Sequence, residues 1–230
     1  MKKALALLLA LFLTIGCMDS IPAPAAFAEE NAAETENSDE NETAGIGYID
    51  PVEQFYVVVP VYWTAIGRGS TEQNIRDAET ILAGSGVSAS ELFETMLSSN
   101  APMFIALGEG LKSGMVLTFG SNEYVSNAAM IDDAEEIKQS LKAQQPSIRF
   151  IEADCGSYSF KSLENILRLH MLEGTNDIDQ YYLISGETMF IFTFLNSTEE
   201  ERNAAFYFFK TGVSNLTRPP SSKHIKAVSL

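Results

Sequence analysis

Hydrophobic and polar residues form short regular blocks between about residues 48 and 218, separated by glycine, proline or acidic clusters. Blocks rich in β-branched and aromatic residues predict strands, and apolar residues spaced three and four apart predict helices. The strands predicted in this way cover 55–59, 103–107, 115–119, 148–152, 158–160, 163–172, 179–185 and 188–194. The pattern therefore predicts a single α+β domain whose mainly antiparallel sheet is packed with helices.

One of these blocks, 163–172, fits two interpretations. The spacing of Leu163 and Ile166 fits a helix, whereas the alternation of Leu167 and Leu169 with polar residues fits a strand. We take it as a strand and keep the helix as the alternative.

A tight hairpin is predicted near the end of the domain. Segments 179–185 and 188–194 flank Gly186-Glu187, a two-residue loop with glycine at its first position. Because 188–194 is apolar on both faces, we expect this strand to lie inside the sheet rather than at an edge.

Four helices are predicted from periodicity and capping signals. Ser88 with Glu91, and Ser197 with Glu200, have the spacing of a capping box at a helix start. The four predicted helices cover 71–83, 88–97, 132–144 and 197–216.

The beginning of the chain has the anatomy of a secretory signal. Lys2 and Lys3 precede an apolar run over 4–15, and Ala26-Phe27-Ala28 is a small-x-small cleavage site. Residues 1–28 are therefore predicted to be a signal peptide, and the mature protein is expected outside the cell or at its surface.

The leader also contains a second processing site. Residues 13–17 resemble a bacterial lipoprotein box, in which Cys17 would be lipidated after removal of residues 1–16, although Thr14 and Met18 depart from the usual pattern. Secretion after Ala28 and lipid anchoring at Cys17 both remain open. A spanning helix is disfavoured, because the apolar run is shorter than the roughly 20 residues that a membrane crossing needs.

An acidic spacer follows the leader. Residues 29–47 contain no base and no large apolar residue before Ile46, so we expect a disordered linker. Its acids are Glu29, Glu30, Glu34, Glu36, Asp39, Glu40 and Glu42. At the other end, Pro219-Pro220 opens a predicted flexible tail over 219–230, so the globular domain is assigned to 48–218.

Charge limits the classes of partner. The formal net charge is -16, and the bases are scattered singly among acids. Nucleic acid is excluded as a partner, because binding a phosphate backbone requires clustered lysine and arginine. Acidity serves solubility, and it would also attract a cation or a basic polymer at the cell wall.

The order of elements resembles a known group of exported proteins. Two segments show this resemblance. They are the opening run 55–63, with Pro60 and Trp63, and the closing hairpin and helix from Gln180 to Glu199. They resemble the PsbP-like and DcrB-like α/β/α sandwich group, and look most like its small exported bacterial members. The resemblance implies the fold and an accessory or binding role, and it brings no catalytic residue.

Few residues offer chemistry. His170 and His224 are the two histidines, and Cys155 is the one cysteine left after cleavage at Ala28, so neither a zinc site nor a disulfide is expected. Asp177 and Asp179 offer a weak calcium site as a minor alternative. His170 and Glu173 would share a face only in a helix. We predict no catalytic residue, no metal and no cofactor.

Aromatic residues with a polar group are the candidate binding residues, because tyrosine and tryptophan dominate protein contact surfaces. They are Tyr62, Trp63, Tyr181, Tyr182 and Tyr207. We expect a non-catalytic binding or accessory domain that contacts a protein or a cell-wall component. The alternatives are a carboxylate-based hydrolase of glycosidase type and a structural envelope protein.

Overall fold

The computed structural model describes residues 45–50, 55–83, 88–98, 103–108, 112–122, 124–160, 163–207 and 209–211. The leader with Cys17, the acidic run of the spacer and the tail lie outside these residues. In the part of the chain so described, no helix is long and apolar enough to cross a membrane.

Within these described ranges, eleven strands form two antiparallel sheets. In chain order they are β1 (Gly45–Asp50), β2 (Phe55–Pro60), β3 (Thr64–Ile66), β4 (Met103–Leu107), β5 (Gly114–Ser121), β6 (Arg149–Phe150), β7 (Gly156–Phe160), β8 (Leu163–Glu173), β9 (Asn176–Ser185), β10 (Thr188–Leu195) and β11 (Lys210–Thr211). The small sheet has the order β1-β2-β11. The large sheet has the order β3-β4-β5-β10-β9-β8-β6, with β7 also paired to β8.

Five α-helices and one 3-10 turn are described. The helices are α1 (Glu72–Leu82), α2 (Ala89–Ser98), α3 (Asn127–Asp132), α4 (Ala134–Gln144) and α5 (Glu199–Tyr207). The 3-10 turn covers Glu152–Asp154 and connects β6 to β7.

The large sheet lies between two hydrophobic cores. Apolar residues of α1 to α4, such as Leu82 and Met130, pack on one face against Leu169 and its strand neighbours. On the other face, β2 and α5 contribute Phe55 and Phe206 to an aromatic core. The predicted α+β class, with a mainly antiparallel sheet covered on both faces, is confirmed.

The hairpin and the strand over 163–172 are also confirmed. Ser185 pairs with Thr188 across the turn, and Gly186 has a φ of 60°, the left-handed conformation that favours glycine. The apolar strand β10 lies between β5 and β9, inside the sheet as expected.

Element ends near the termini of the domain differ from the prediction. Residues 45–47, assigned to the spacer, belong to β1, which pairs with β2 from Gly45↔Pro60 onward. The last helix ends at Tyr207 instead of continuing to 216, and Lys210 and Thr211 pair with β2. Both short segments become strands because β2 supplies hydrogen-bonding partners from a distant part of the chain.

Three local boundaries are also corrected. The helix predicted over 132–144 begins two residues later, at Ala134, and a separate short helix that was not predicted, α3, precedes it and is capped by Ser126. The strand predicted over 148–152 is limited to Arg149–Phe150. The capping box of α5 is formed by Thr198 and Glu201, one residue later than expected.

Candidate functional site

The structure does not bring the five predicted binding residues together on one surface. Trp63, Tyr181 and Tyr182 are 3%, 1% and 5% exposed, and they lie in the hydrophobic cores. Tyr181 and Tyr182 contribute to opposite faces of the large sheet, because successive strand residues alternate. Tyr207 is the last residue of α5, and its side chain is not among those that the structure describes.

Tyr62 is the exposed member of the set, with 46% of its surface accessible, and its position is fixed. Its hydroxyl donates to Oε1 of the buried Glu201 at 2.9 Å, while Oε2 of Glu201 accepts from the backbone N–H of Thr198 at 2.7 Å. Partial burial, followed by the contact with Glu201, raises the pKa of Tyr62 to about 12. The ring is therefore tied to the first turn of α5.

Trp63 lies below this surface, in the aromatic core. Among the residues that the structure describes, no acceptor is within hydrogen-bonding distance of its buried indole N–H. A Cβ atom added at Gly108 would lie 3.0 Å from the indole nitrogen, so the backbone approaches the ring closely there.

Charged residues collect at one end of β8 and β9, around Asp177 and Asp179, the pair that the sequence offers only as a weak calcium site. This β8–β9 ionic cluster consists of Asp154, Arg168, His170, Asp177, Asp179 and Arg202. The antiparallel register sets His170 opposite Asp179 and Arg168 opposite Tyr181. Residues two apart on a strand share a face, so the polar residues of both strands meet beside the aromatic core.

His170 lies between two carboxylates. Its Nδ1 is 3.0 Å from Oδ2 of Asp154, and its Nε2 is 3.1 Å from Oδ1 of Asp177. Ionised carboxylates only accept hydrogen bonds, so both contacts require both ring nitrogens to carry a proton. The hydrogen bond from His170 lowers the pKa of Asp154 below its ordinary value.

Asp179 is the buried anion of the cluster, with a side chain that is 2% exposed. Oδ1 lies 2.7 Å from Nε of Arg168, and Oδ2 lies 3.2 Å from Nη1 of Arg202. The Arg168 guanidinium also lies 5.9 Å and 5.8 Å from the ring centres of Tyr158 and Tyr181. Both oxygens of Asp179 are thus engaged, and Arg202 links α5 to the large sheet.

A metal ion fits this cluster poorly. Ligand atoms of His170, Asp177 and Asp179 lie within 4.8 Å of one another, which is close enough for a shared cation. Yet both Asp179 oxygens contact arginines, and a cation placed there would meet two guanidinium groups. With His170 protonated, three positive groups balance three carboxylates. We interpret the cluster as self-neutralised and structural.

Apart from the Asp177 and Asp179 pair, the cluster could not be predicted, because its members are far apart in sequence. Asp177 and Asp179 are separated by one apolar residue, and so are Arg168 and His170. This alternation is the one sequence signal that two paired strands could bring acids and bases opposite each other. Asp154 lies in a 3-10 turn and Arg202 lies in a helix. Only the tertiary structure places these two residues beside the strands.

Mostly buried bases are paired throughout this region. Lys138 contacts Glu135 and lies 2.6 Å from Glu152, with 8% of its side chain exposed. Together with Arg168 and Arg202 it places positive charge inside the fold. The described surface therefore carries an excess of exposed acids, consistent with the net charge of -16.

Comparison with known proteins gives structural similarity without a family. No family model matches the chain, and no curated protein matches it. The chain is similar to the cyanobacterial PsbP protein CyanoP from Synechocystis sp. PCC 6803, at 8% identity and a TM-score of 0.42, covering 77% of this chain and 98% of that chain. It is also similar to a protein of Bacteroides thetaiotaomicron VPI-5482, at 11% identity and a TM-score of 0.36, covering 73% of this chain and 48% of that chain.

The similarity to CyanoP agrees, at the level of the fold, with the resemblance seen in the sequence. It concerns the fold alone.

Proposed function

We propose that this protein is an exported, non-catalytic binding or accessory domain of the bacterial cell envelope or the extracellular space, and that its partner carries positive charge. The partner class is a protein or a cell-wall component. The leader and acidic spacer of the sequence support export, and the surface around Tyr62 supports binding.

The exposed but fixed ring of Tyr62 carries this proposal. Its neighbour Val61 is 53% exposed, so an apolar and an aromatic side chain stand together at the turn between β2 and β3. Because Glu201 already holds the Tyr62 hydroxyl, a partner that contacts the ring loses little side-chain entropy in ordering it.

The charge of the expected partner follows from the groups beside Tyr62. Glu200 is exposed in the first turn of α5 and precedes Glu201, whose carboxylate holds the Tyr62 hydroxyl. An aromatic face next to a carboxylate attracts lysine or arginine through cation–π and ionic contacts.

Titration with a basic partner tests the binding. The protein from Glu29 onward retains every residue that the structure describes, and it would be titrated calorimetrically with a lysine-rich peptide, an acidic peptide of equal length and a single-stranded RNA. We expect binding of the lysine-rich peptide alone, weakening between about 0.05 M and about 0.5 M salt because screening shortens ionic attraction.

Matched variants locate the contact. Tyr62→Ala is expected to weaken binding of the lysine-rich peptide about tenfold or more, and Glu200→Gln less, because removal of a central aromatic contact costs more than one exposed charge. Leu97→Ser and Glu187→Gln alter an exposed apolar and an exposed acidic residue elsewhere and should leave affinity unchanged. Equal losses in all four variants would show non-specific attraction and refute the Tyr62 surface.

Export and anchoring are tested separately. Mass spectrometry of the mature protein from the producing cell would show a chain beginning at Glu29 or a lipidated Cys17. A chain that retains Met1 and its leader would refute export.

Neither alternative function gains support from a specific observation. A hydrolase acid needs a raised pKa, whereas His170 lowers that of Asp154. A structural envelope protein would self-associate, which sedimentation of the mature protein measures.

A further inference from the structure

We propose that His170 is a pH-sensitive clamp, which in its protonated form ties the Glu152–Asp154 turn to β8 and β9 and on losing its proton releases the turn. This inference is independent of the proposed function. It depends on the two carboxylate contacts of one imidazole ring.

The two contacts can coexist only around an imidazolium. A neutral imidazole has one N–H donor and one nitrogen that accepts. If His170 were neutral, the accepting nitrogen would face a carboxylate oxygen of Asp154 or Asp177, and two acceptors at about 3 Å repel each other. Loss of the proton therefore costs one of the two links.

Three neighbouring groups, Asp179, Cys155 and Arg168, have other partners and do not restore the hydrogen bond that is lost with the proton. Asp179, opposite His170 on β9, is engaged by Arg168 and Arg202. The thiol of Cys155 contacts the backbone carbonyl of His170 rather than its ring. The pKa of Asp154 is lowered first by the hydrogen bond from His170 and further by the charge of Arg168, whose Nε donates to Asp179.

The link to Asp154 is the one that we expect to open. Asp177 is held in β9 by its pairing with Leu172 and by two hydrogen bonds with Asn196, at 2.8 Å and 2.7 Å. Asp154 lies in a three-residue turn. Apart from its local backbone bonds and the bond from the N–H of the preceding Ile151 to the His170 carbonyl at 2.9 Å, this turn is held by the contact of Glu152 with Lys138. Because the turn is the less firmly attached element, the link to Asp154 is expected to break before the link to Asp177.

Opening of the turn would expose Cys155. Its partly buried thiol shares its proton between the carbonyl oxygens of Ile151 at 3.4 Å and of His170 at 3.6 Å, where the turn rests on β8. In the protein from Glu29 onward Cys155 is the one cysteine, which makes its reactivity a direct report on the turn.

The direction of the pH effect follows from the charges. Acid supplies the second ring proton that the two carboxylate contacts require, and alkali removes it. The lowered pKa of Asp154 keeps that carboxylate charged into the acid range. The clamp is therefore closed in mild acid and open in mild alkali.

Protection of Cys155 against a disulfide reagent tests the clamp. The reaction rate of the native protein would be divided, at each pH, by that of the same protein unfolded in urea. We expect protection to fall about tenfold between about pH 5.5 and about pH 8. Burial raises the pKa of the Cys155 thiol. Below the ordinary thiol pKa of about 8.5 the native and unfolded thiolate fractions rise in parallel, so thiolate formation alone would leave protection nearly constant over this pH range.

Variants of the two histidines make the test specific. His170→Gln carries one donor and one acceptor, like the neutral ring, and should show low protection without a pH step. His224→Gln, at the second histidine of the sequence, should keep the wild-type profile. Identical profiles for wild type and His170→Gln would overturn the proposal.

Should His170→Gln fail to fold, nitrogen NMR of the wild-type protein decides alone. Two protonated ring nitrogens at about pH 5.5, with the backbone amide of Asp154 shifting in the same titration as the ring, would support the clamp. An Asp154 amide that does not follow the ring would refute it.

Discussion

At the scale of single residues, Asp179 is the anion on which the ionic cluster depends. It is buried, accepts a hydrogen bond from Arg168 and forms an ion pair with Arg202, and the side chains of these arginines are 20% and 15% exposed. Removing one member of such a set leaves the others charged and unpaired in a poorly solvated place.

Asp179→Ala is therefore expected to lower the free energy of unfolding by about 3–5 kcal/mol, because two guanidinium groups lose their partner. Urea denaturation followed by circular dichroism measures this. Asp132→Asn, which alters an exposed aspartate, should change stability by less than about 0.5 kcal/mol. A small effect of Asp179→Ala would mean that water already solvates both arginines.

At the scale of elements, the hairpin between β9 and β10 shows local sequence acting directly on structure. Gly186 has a φ of 60°, whereas Glu187 does not have a positive φ, as in a type II′ turn. That turn joins the two strands at the centre of the large sheet and sets their register.

Gly186→Ala is expected to cost about 1–2 kcal/mol, because a side chain disfavours the left-handed conformation. Gly120→Ala is the matched control. An added Cβ meets nothing within 4 Å at either position, and Gly120 lacks the left-handed φ. Thermal unfolding of both variants measures the difference, and equal midpoints would contradict the backbone explanation.

At the scale of the whole molecule, the large sheet joins the two cores. Leu169 lies in the helix-side core, whereas Trp63, the one tryptophan of the chain, lies in the aromatic core on the other face. Because strands β4, β5, β8, β9 and β10 contribute to both cores, we expect the domain to unfold in one transition.

Leu169→Ala tests this coupling. It should lower the free energy of unfolding by about 2–5 kcal/mol through cavity formation, and should do so equally in circular dichroism and in Trp63 fluorescence. Fluorescence that keeps its wild-type midpoint while circular dichroism shifts would show that the two cores unfold separately.

Local patterns were sufficient for most elements of the fold. The hairpin, the strand over 163–172 and the starts of α1 and α2 depend on residues two to four apart, and such residues determine backbone conformation directly. The leader, the spacer and the negative charge are equally properties of the sequence, and they carry the prediction of export.

Contacts between distant residues were decided by the tertiary structure. β1 and β11 are strands because β2 pairs with both. Tyr62 is exposed because it lies in the turn after β2, whereas Tyr181 is buried because it lies in β9 inside the large sheet. Asp154, His170 and Asp177 meet through strand register and the position of a short turn. No local periodicity encodes such a meeting, since it depends on how elements pack after they have formed.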